Sequence, residues 1–202
     1  PQEQVITRTW TATDDCGNSS SCDQIVTVVD EEAPSITCPA STTINCQDDS
    51  SSSGTGLATA TDNCDSAVTI AESDSVAAGS CPQEQVITRT WTATDDCGNA
   101  SSCDQIITVV DEEAPVLSCP SDITVTCVPG AGAGADCFSN LIDNIMTLSP
   151  ETTGTATATD NCDTDVTISF SDSTEAGTCP QEKVITRTWT AVDDCNNSSE
   201  CD

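Results

Sequence analysis

The chain has 202 residues, and its 34 acidic residues against four basic ones give a formal net charge of −30. This charge excludes nucleic acid as a partner, because binding nucleic acid requires a basic surface. No apolar run approaches the length of a membrane-spanning helix, so we expect no membrane insertion.

Sequence repeats organise the whole chain. Residues 1–34 and 82–115 align without a gap and differ at two positions, and a third copy begins at Pro180. Self-similarity at a fixed period is the signature of a repeat array. We therefore interpret 1–30 as the C-terminal hairpin of a truncated repeat, 31–111 as a complete repeat, and 112–202 as a repeat with an insertion at about 129–151.

The first hairpin is incomplete as a structural unit. Residues 1–30 supply two strands, and an isolated two-stranded hairpin is only marginally stable in water. We therefore expect the chain to be a slice of a longer polypeptide, in which preceding residues or a neighbouring subunit cover this hairpin.

The complete repeat reads as a series of short strands rich in Thr, Val and Ile. Residues 35–46 predict a strand pair, or one bent edge strand, around Pro39. Further strands are predicted at 56–65, 67–74, 85–95 and 104–111, with Gly, Asn, Asp, Ser or Pro between them. A helical period appears only in the insertion, where 138–148 predicts one or two turns. The fold class is therefore all-β, with tandem immunoglobulin-like β-sandwich repeats stapled by disulfides.

Fifteen cysteines in a chain of this size indicate an oxidising, extracellular compartment. Zinc is the competing interpretation, and the lack of histidine and of any C-x2-C pair disfavours it. Alternating strand directions place the cysteines of each repeat at two poles. This topology predicts the pairs Cys38–Cys103, Cys64–Cys97 and Cys46–Cys81 in one repeat, and Cys119–Cys201, Cys162–Cys195 and Cys127–Cys179 in the next.

Other cysteine pairings remain open at this point. A rival scheme closes each C-x5-C hairpin locally, as in Cys97–Cys103. Cys16 and Cys22 would pair with residues outside the chain, and Cys137 in the insertion is the odd one, either free or exchanging with Cys127.

A tryptophan precedes each acidic loop. Strand alternation puts Arg89 and Trp91 on one face, which predicts that Trp91 anchors the core and that Arg89 lies along it and reaches a carboxylate or the ring. The alternative is an Arg–Trp platform that binds a ligand.

Acidic side chains from two loops and one linker should meet at the pole of each repeat. Carboxylates at this density repel unless a cation lies among them, and oxygen-only ligands at flexible spacing suit Ca²⁺. The predicted ligands are Asp30, Glu31, Glu32, Asp62, Asn63, Asp65, Asp95, Asp96 and Asn99, and then Asp111, Glu112, Glu113, Asp160, Asn161, Asp163, Asp193 and Asp194. The alternative is a solvated acidic tip whose Asp and Asn residues only form turns.

Turn chemistry is present in the acidic loop under either interpretation. Gly17 and Gly98 of the first two copies become Asn196 in the third. Both residue types tolerate a positive φ, so this position is predicted to require one.

The motifs "CPSDITVTC", "ATATDNCD" and "TWTATDDCGNASSCDQIITVVDEEAP" resemble those of the hyalin repeat, or HYR, domain. The chain looks most like the cysteine-rich version found in tandem in large surface proteins of the Bacteroidota. This resemblance implies an immunoglobulin-like sandwich, an extracellular or cell-surface location and a part in adhesion. Similar proteins are often exported by type IX secretion, some as gliding adhesins. Ser66, Ser75 and Ser173 lie in sequences that resemble the short O-glycosylation signal of exported Bacteroidota proteins.

The sequence leaves three functions to be distinguished. The first is a stalk or fibre segment of a surface adhesin, rigidified by disulfides and Ca²⁺, whose partners are neighbouring repeats or subunits of the same protein. The second is a multivalent module that binds carbohydrate or protein, with the insertion as its best candidate surface. The third is an enzyme, which the lack of histidine and the presence of a single lysine disfavour. Asp95 and Asp96 are also adjacent on a strand, so their side chains point to opposite faces.

Overall fold

The computed structural model describes residues 4–124, 149–178 and 183–202. Within these ranges the chain forms thirteen β-strands and two short helical turns, Ser52–Thr55 and Pro150–Thr153. The predicted all-β, immunoglobulin-like class with disulfide staples is therefore confirmed. The predicted helical turns at 138–148 lie outside the described residues.

The chain divides into two compact units. Among the described residues, unit 1 holds 4–44, 48–78 and 85–109, and unit 2 holds 45–47, 79–84 and everything after 109. Two short segments of the sequence repeat 31–111 therefore cluster with unit 2 rather than with the strands that flank them.

Unit 1 begins with a solvated hairpin. Strands β1 (Gln4–Thr13) and β2 (Ser19–Val28) pair antiparallel over their full length and form a two-stranded sheet of their own. Every side chain of β1 is exposed, and Trp10 exposes 57% of its surface. The hairpin thus presents an apolar face that nothing in the described chain covers.

The rest of unit 1 forms two facing sheets. The strands are β3 (Ser35–Thr37), β4 (Thr42–Asn45), β5 (Thr59–Thr61), β6 (Thr69–Ala78), β7 (Gln85–Thr94) and β8 (Ala100–Val110). β3 pairs with β5, and the second sheet has the order β4-β8-β7-β6. The chain changes sheet around Pro39, where the missing N–H of proline would break a ladder. The predicted segment 35–46 does form two strands on either side of Pro39, but they lie in different sheets, so neither a strand pair nor one bent edge strand describes them.

Strand β7 supplies the centre of the core. Its side chains alternate between buried and half-buried, as expected for a pleated strand. Ile87, Trp91 and Ala93 are buried on one face, and Ile107 and Val109 of β8 join them. Trp91 exposes only 4% of its surface, which confirms it as the core anchor.

Arg89 is the buried cation of this core. Its Nε and Nη2 each donate to a carboxylate oxygen of Asp74 on the neighbouring strand at 2.8 Å. Nη1 donates to the Thr55 hydroxyl at 3.0 Å, and Nη2 also donates to the Ser50 carbonyl at 3.0 Å. The hydrogen bonds from Arg89 hold the pKa of Asp74 below its usual range. Arg89 is thus used in packing, as predicted, and not in a ligand platform.

Unit 2 repeats this plan. Its strands are β9 (Val116–Ser118), β10 (Thr157–Thr159), β11 (Thr167–Ala176), β12 (Lys183–Val192) and β13 (Ser198–Cys201). β9 pairs with β10, and the second sheet has the order β11-β12-β13. Trp189 is buried, and Arg187 both pairs with Asp172 and lies 4.3 Å above the ring of Phe170.

One disulfide in each unit joins its two sheets. Cys38 follows β3 and bonds to Cys103 on β8, and Cys119 follows β9 and bonds to Cys201 on β13. Cys103 lies directly opposite Trp91 in the strand register. Both pairs were predicted and are confirmed, and the rival local pairing of Cys97 with Cys103 is wrong.

The remaining predicted pairs need correction. Cys46 bonds to Cys162, and Cys81 bonds to Cys195, with Cα–Cα distances of 5.9 and 5.1 Å. The predicted pairs Cys46–Cys81 and Cys162–Cys195 are therefore wrong. The prediction treated each repeat as a closed body, whereas the cysteines come within bonding distance only across successive sequence repeats. Both of these bridges lie within unit 2.

Four cysteines of the described residues are free: Cys16, Cys22, Cys64 and Cys97. The predicted pair Cys64–Cys97 is therefore also wrong. The predicted pair Cys127–Cys179 and the odd residue Cys137 lie outside the described residues.

The two identical tryptophan strands give a matched test of burial. We expect Trp91→Ala to lower the free energy of unfolding by about 3–5 kcal/mol, because it empties a core site. Trp10→Ala in the exposed hairpin should change it by less than about 0.5 kcal/mol. Urea unfolding followed by far-ultraviolet circular dichroism measures both, and similar losses in the two variants would contradict this account of the core.

Candidate metal centre

The loop between β7 and β8 is organised by Asp95. One carboxylate oxygen accepts the backbone N–H groups of Cys97 at 2.9 Å and Asn99 at 2.8 Å. The other accepts the side-chain amide of Asn99 at 2.8 Å. Gly98 completes the turn with a φ of 91°, a conformation that favours glycine.

The same loop forms in all three copies. Asp14 makes the same three contacts in the exposed hairpin, and Asp193 makes them in unit 2. Asn196 stands at the glycine position with a φ of 70°, which confirms the predicted need for a positive φ. Because the exposed copy has this geometry as well, the loop is fixed by local hydrogen bonds.

A second loop, between β5 and β6, is organised by Asp62. One oxygen of Asp62 accepts the backbone N–H groups of Cys64 and Asp65, both at 2.8 Å. Asp65 in turn accepts the N–H of Ala67 at 2.8 Å and that of Asp96 at 3.0 Å. The buried carboxylate of Asp65 therefore fastens the second loop to the first.

Three carboxylates meet where these loops approach the linker after β2. One oxygen each of Asp30, Asp62 and Asp95 lies within 4.8 Å of the others. The Asn99 amide donates to the Asp30 carbonyl at 3.1 Å and so holds the linker against the loop. Asp30 and Asp95 are buried, at 7% and 6% exposure. The predicted convergence of two loops and an acidic linker therefore exists within unit 1.

Unit 2 contains a related cluster, in which a cysteine sulfur and not a third carboxylate completes the group. Asp111 and Asp160 lie within 4.8 Å of each other and of the Cys162 sulfur, which is already bonded to Cys46. The Asn197 amide donates to the Asp111 carbonyl at 3.0 Å, as Asn99 does to Asp30. A surface hollow lined in part by Glu113 and Asn161 opens beside Asp160.

Each cluster keeps buried oxygen atoms without a hydrogen-bond partner. In unit 1 these are Oδ2 of Asp30 and Oδ2 of Asp62. In unit 2 they are Oδ2 of Asp111, Oδ2 of Asp160 and Oδ1 of Asn161. A buried oxygen without a donor is costly unless a ligand compensates it. Oxygen ligands of this kind fit Ca²⁺, which takes six to eight of them, and water would complete the set.

Burial and neighbouring charges both oppose the ionisation of Asp111. Burial raises the pKa of Asp111 above its ordinary value of 3.8, and the carboxylates of Asp160, Asp193 and Asp163 raise it further. Burial also opposes ionisation of Asp95, but the hydrogen bonds from Asn99, Cys97 and Gly98 outweigh it and lower the pKa. A cation bound beside Asp111 would therefore oppose the effects that raise its pKa.

The other predicted ligands occupy different positions. Asp65, Asp163 and Asp193 use their oxygens as acceptors from loop N–H groups. The Asn63 amide donates to Glu32 at 3.1 Å. The side chains of six further predicted ligands are exposed to solvent: Glu31, Glu32, Asp96, Glu112, Glu113 and Asp194. Their roles as ligands remain predictions.

The three predicted glycosylation positions are all accessible to solvent. Ser66, Ser75 and Ser173 are all exposed, with Ser75 on β6 and Ser173 on β11. Their modification remains a prediction. Among the described residues, no helix has both the length and the apolar character needed to span a membrane.

One segment of the chain is similar to a known family of protein domains. Residues 34–109 match a family model described as an HYR-like domain with 4 cysteines. The match supports the hyalin-repeat resemblance over this segment, which contains Cys38, Cys46, Cys64, Cys81, Cys97 and Cys103. A search of curated proteins found no match.

The HYR-like segment and the disulfides fit an extracellular, adhesion-type repeat module. The HYR-like family is a non-catalytic repeat family, which agrees with the expectation that the chain is not an enzyme. The Bacteroidota context and any particular adhesin remain expectations from the sequence.

Calcium binding at unit 2 predicts opposite effects of one substitution with and without the ion. Asp111→Asn removes a buried negative charge, so in chelator it should melt at or above the wild-type temperature. In calcium it should lack the stabilisation that an ion gives unit 2, about 2.7 kcal/mol at a concentration one hundred times Kd. Scanning calorimetry measures both effects. The control is Asp15→Asn, the same charge change in an exposed loop, and an equal calcium shift in both variants would argue against the site.

The raised pKa of Asp111 also predicts a pH dependence. Its contribution to stability is fully present below the ordinary pKa of 3.8 and is lost as pH rises through the higher folded value. Asp95, Asp74 and Asp172 have lowered pKa values, so their contributions are lost only as pH falls below 3.8. In chelator, acidification from pH 7 towards 4 should therefore stabilise the wild type more than Asp111→Asn. If the melting temperatures of the two proteins changed equally between pH 7 and pH 4, this prediction would be contradicted.

Proposed function

We propose that the chain is a structural segment of an extracellular adhesin stalk or surface fibre, stiffened by disulfides and by Ca²⁺ at the acidic clusters. The observation that carries this proposal is the pair of bridges Cys46–Cys162 and Cys81–Cys195, which join successive sequence repeats. A module that only displayed a binding site would need no covalent connection beyond its peptide linker.

Covalent connectivity explains why such a chain would resist force. One repeat is connected to the next by the main chain through residues 110–115 and by the two bridges. Tension applied along the chain is therefore shared by three covalent paths. A joint of this kind cannot be unfolded into an extended linker while the disulfides are intact.

The acidic clusters would act on the same segments. Asp30 lies in the linker after β2, and Asp111 lies in the linker after β8. Each contacts or approaches two loops of the repeat that follows it. A cation at these positions would tie the start of each linker to the loops. It would also reduce the self-repulsion of a chain with a net charge of −30.

A binding function has less support in the described residues. Its best candidate surface is the insertion at about 129–151, of which only the last residues are described. Trp91 and Trp189 are buried in the cores, so they are not available to stack on a sugar. A carbohydrate- or protein-binding role therefore stays the alternative.

Single-molecule pulling tests the stalk function directly. With its disulfides intact, the chain held at its ends should extend by at most about 200 Å, because the bridges bypass most of the residues. Reductant should increase the limit to about 700 Å, the span of an extended chain of this length. Calcium should raise the force of the first unfolding event relative to chelator.

A bridge-specific variant makes this test sharper. Cys46→Ser combined with Cys162→Ser removes one bridge without leaving an unpaired partner. It should lower the unfolding free energy by about 5 kcal/mol in the chain-entropy model. Cys16→Ser removes a free, exposed cysteine and serves as the control. The stalk function would be rejected if the oxidised chain extended as far as the reduced one.

A further inference from the structure

All four free cysteines of unit 1 correspond to cysteines that are bonded elsewhere in the chain, Cys16 through its third-copy equivalent Cys195. For the other three, Cys22 corresponds by repeat position to Cys103, Cys64 to Cys162 and Cys97 to Cys195. The three bonded cysteines pair with Cys38, Cys46 and Cys81, respectively. All three partners lie within one continuous stretch of sequence. The three free positions therefore lack one and the same kind of segment, represented here by residues 31–81.

The exposed hairpin lacks the same segment. Residues 4–28 and 85–109 are identical except at two positions, yet Trp10 is 57% exposed and Trp91 only 4%. In the buried copy, β6 pairs with β7 along its whole length, from Thr69↔Thr94 to Ala78↔Gln85. β1 is paired only with β2 among the described strands. The difference in burial thus comes from residues 31–81 and not from the sequence of the hairpin.

The polar contacts of Arg89 and Gln105 indicate which acceptor groups a covering segment must supply. Arg89 receives its acceptors from Asp74, Thr55 and Ser50, and Gln105, which is fully buried, donates to the carbonyls of Ala40 and Thr55. The equivalents of the two donors in the hairpin, Arg8 and Gln24, are exposed. A covering segment must therefore bring a carboxylate on its edge strand and carbonyl groups from a turn, as residues 40–74 do for their own repeat.

We propose that unit 1 is the receptor for a segment of the 31–81 type from another repeat of the same kind. The segment adds a strand beside β1 and then bonds through three disulfides. In these bonds Cys22 takes the cysteine equivalent to Cys38, Cys64 takes that equivalent to Cys46, and Cys97 takes that equivalent to Cys81. The inference extends the proposed function by naming the partner, but it depends on residue equivalence and not on calcium or on a mechanical role.

Docking of one segment creates a site for the next segment. After the segment has docked, Cys16 remains free, because it corresponds to Cys97 and needs a cysteine of the Cys81 type from yet another repeat. The docked segment also carries its own equivalent of Cys64. Cys16 and this equivalent of Cys64 are then two free cysteines of the same type as Cys97 and Cys64. Each repeat added in this way would therefore present the receptor for the next one.

Bond formation requires an oxidant of the small-disulfide class. For each bridge, two thiols lose two protons and two electrons, and one molecule of oxidised glutathione is cleaved to two molecules of reduced glutathione that take them up. Three bridges consume three molecules of the oxidant. One protein thiol first attacks oxidised glutathione, which forms a mixed disulfide and releases one molecule of reduced glutathione. The partner thiol then attacks the protein sulfur of this mixed disulfide, and the second molecule of reduced glutathione leaves.

The test adds a probe polypeptide with the sequence of residues 31–81, isotopically labelled, to the full chain in a glutathione redox buffer with chelator. We expect a one-to-one covalent complex. Non-reducing digestion and mass spectrometry should give three cross-links, from Cys22, Cys64 and Cys97 of the chain to Cys38, Cys46 and Cys81 of the probe. Hydrogen exchange of the β1 amides should slow by at least tenfold.

Two controls separate docking from random thiol exchange. A probe with the same cysteine spacing and a shuffled sequence should form at least tenfold less complex. A probe with Asp74→Lys should also form less complex, because it places a cation against Arg8. Equal yields from all three probes, scrambled cross-links, or covalent dimers of the chain alone through these cysteines would overturn the proposal.

A fusion removes the dependence on probe folding. Residues 31–81 joined directly before Pro1 recreate the sequence that precedes Pro82, so the segment is held at high local concentration. The same three cross-links are expected within one chain, and any other pairing would overturn the proposal. Mapping Cys46–Cys162 and Cys81–Cys195 in the same digest shows separately whether the bridges behind the proposed function are present.

Discussion

A disulfide that crosses between two sheets beside a buried tryptophan is the constraint on which each unit depends. In unit 1 the apolar core is small: among the described residues its buried aromatic side chain is Trp91, with Ile87, Ile107 and Val109 around it. Aromatic residues make up only 2% of the chain. The bridge Cys38–Cys103 closes a loop with a separation of 65 residues, which is worth about 4 kcal/mol in the chain-entropy model. This is a large part of the net stability of an ordinary domain, about 5–15 kcal/mol.

The same scarcity of apolar surface explains the polar structure of the interior. Arg89 and Gln105 are as deeply buried as the core residues, and their donors are satisfied by a carboxylate, a hydroxyl and carbonyl groups of neighbouring segments. Such contacts require an exact fit, because an unpaired donor at these positions would be costly. They therefore specify which segment can cover strand β7, and this specificity is what the uncovered hairpin β1–β2 lacks.

The acidic clusters follow from two loops that are each stable on local grounds. Asp95 and Asp62 use one or both oxygens to organise their own backbone, and Asp65 fastens the loops together. What remains is a small set of buried carboxylate oxygens directed at one another. In the corresponding cluster of unit 2, burial first and then the neighbouring carboxylates raise the pKa of Asp111. The chain thus builds strong local order at the cost of a crowded charge that an ion would offset.

The sequence by itself determined the repeat organisation, the strands, the core position of Trp91 and the positive φ at Gly98 and Asn196. These features depend on side-chain alternation and on hydrogen bonds within a few residues, so they can be predicted without knowledge of distant contacts. The sequence also placed Asp30, Asp62 and Asp95 together, because strand direction decides which loops share a pole. Only the tertiary structure decided that Cys46 and Cys81 bond to Cys162 and Cys195. It alone decided too that identical strands are buried in one copy and exposed in another. Disulfide partners are determined by distances of a few ångström between segments that are far apart in sequence. The burial of a strand is determined by the segment that packs beside it. Neither outcome can be read from the local sequence pattern.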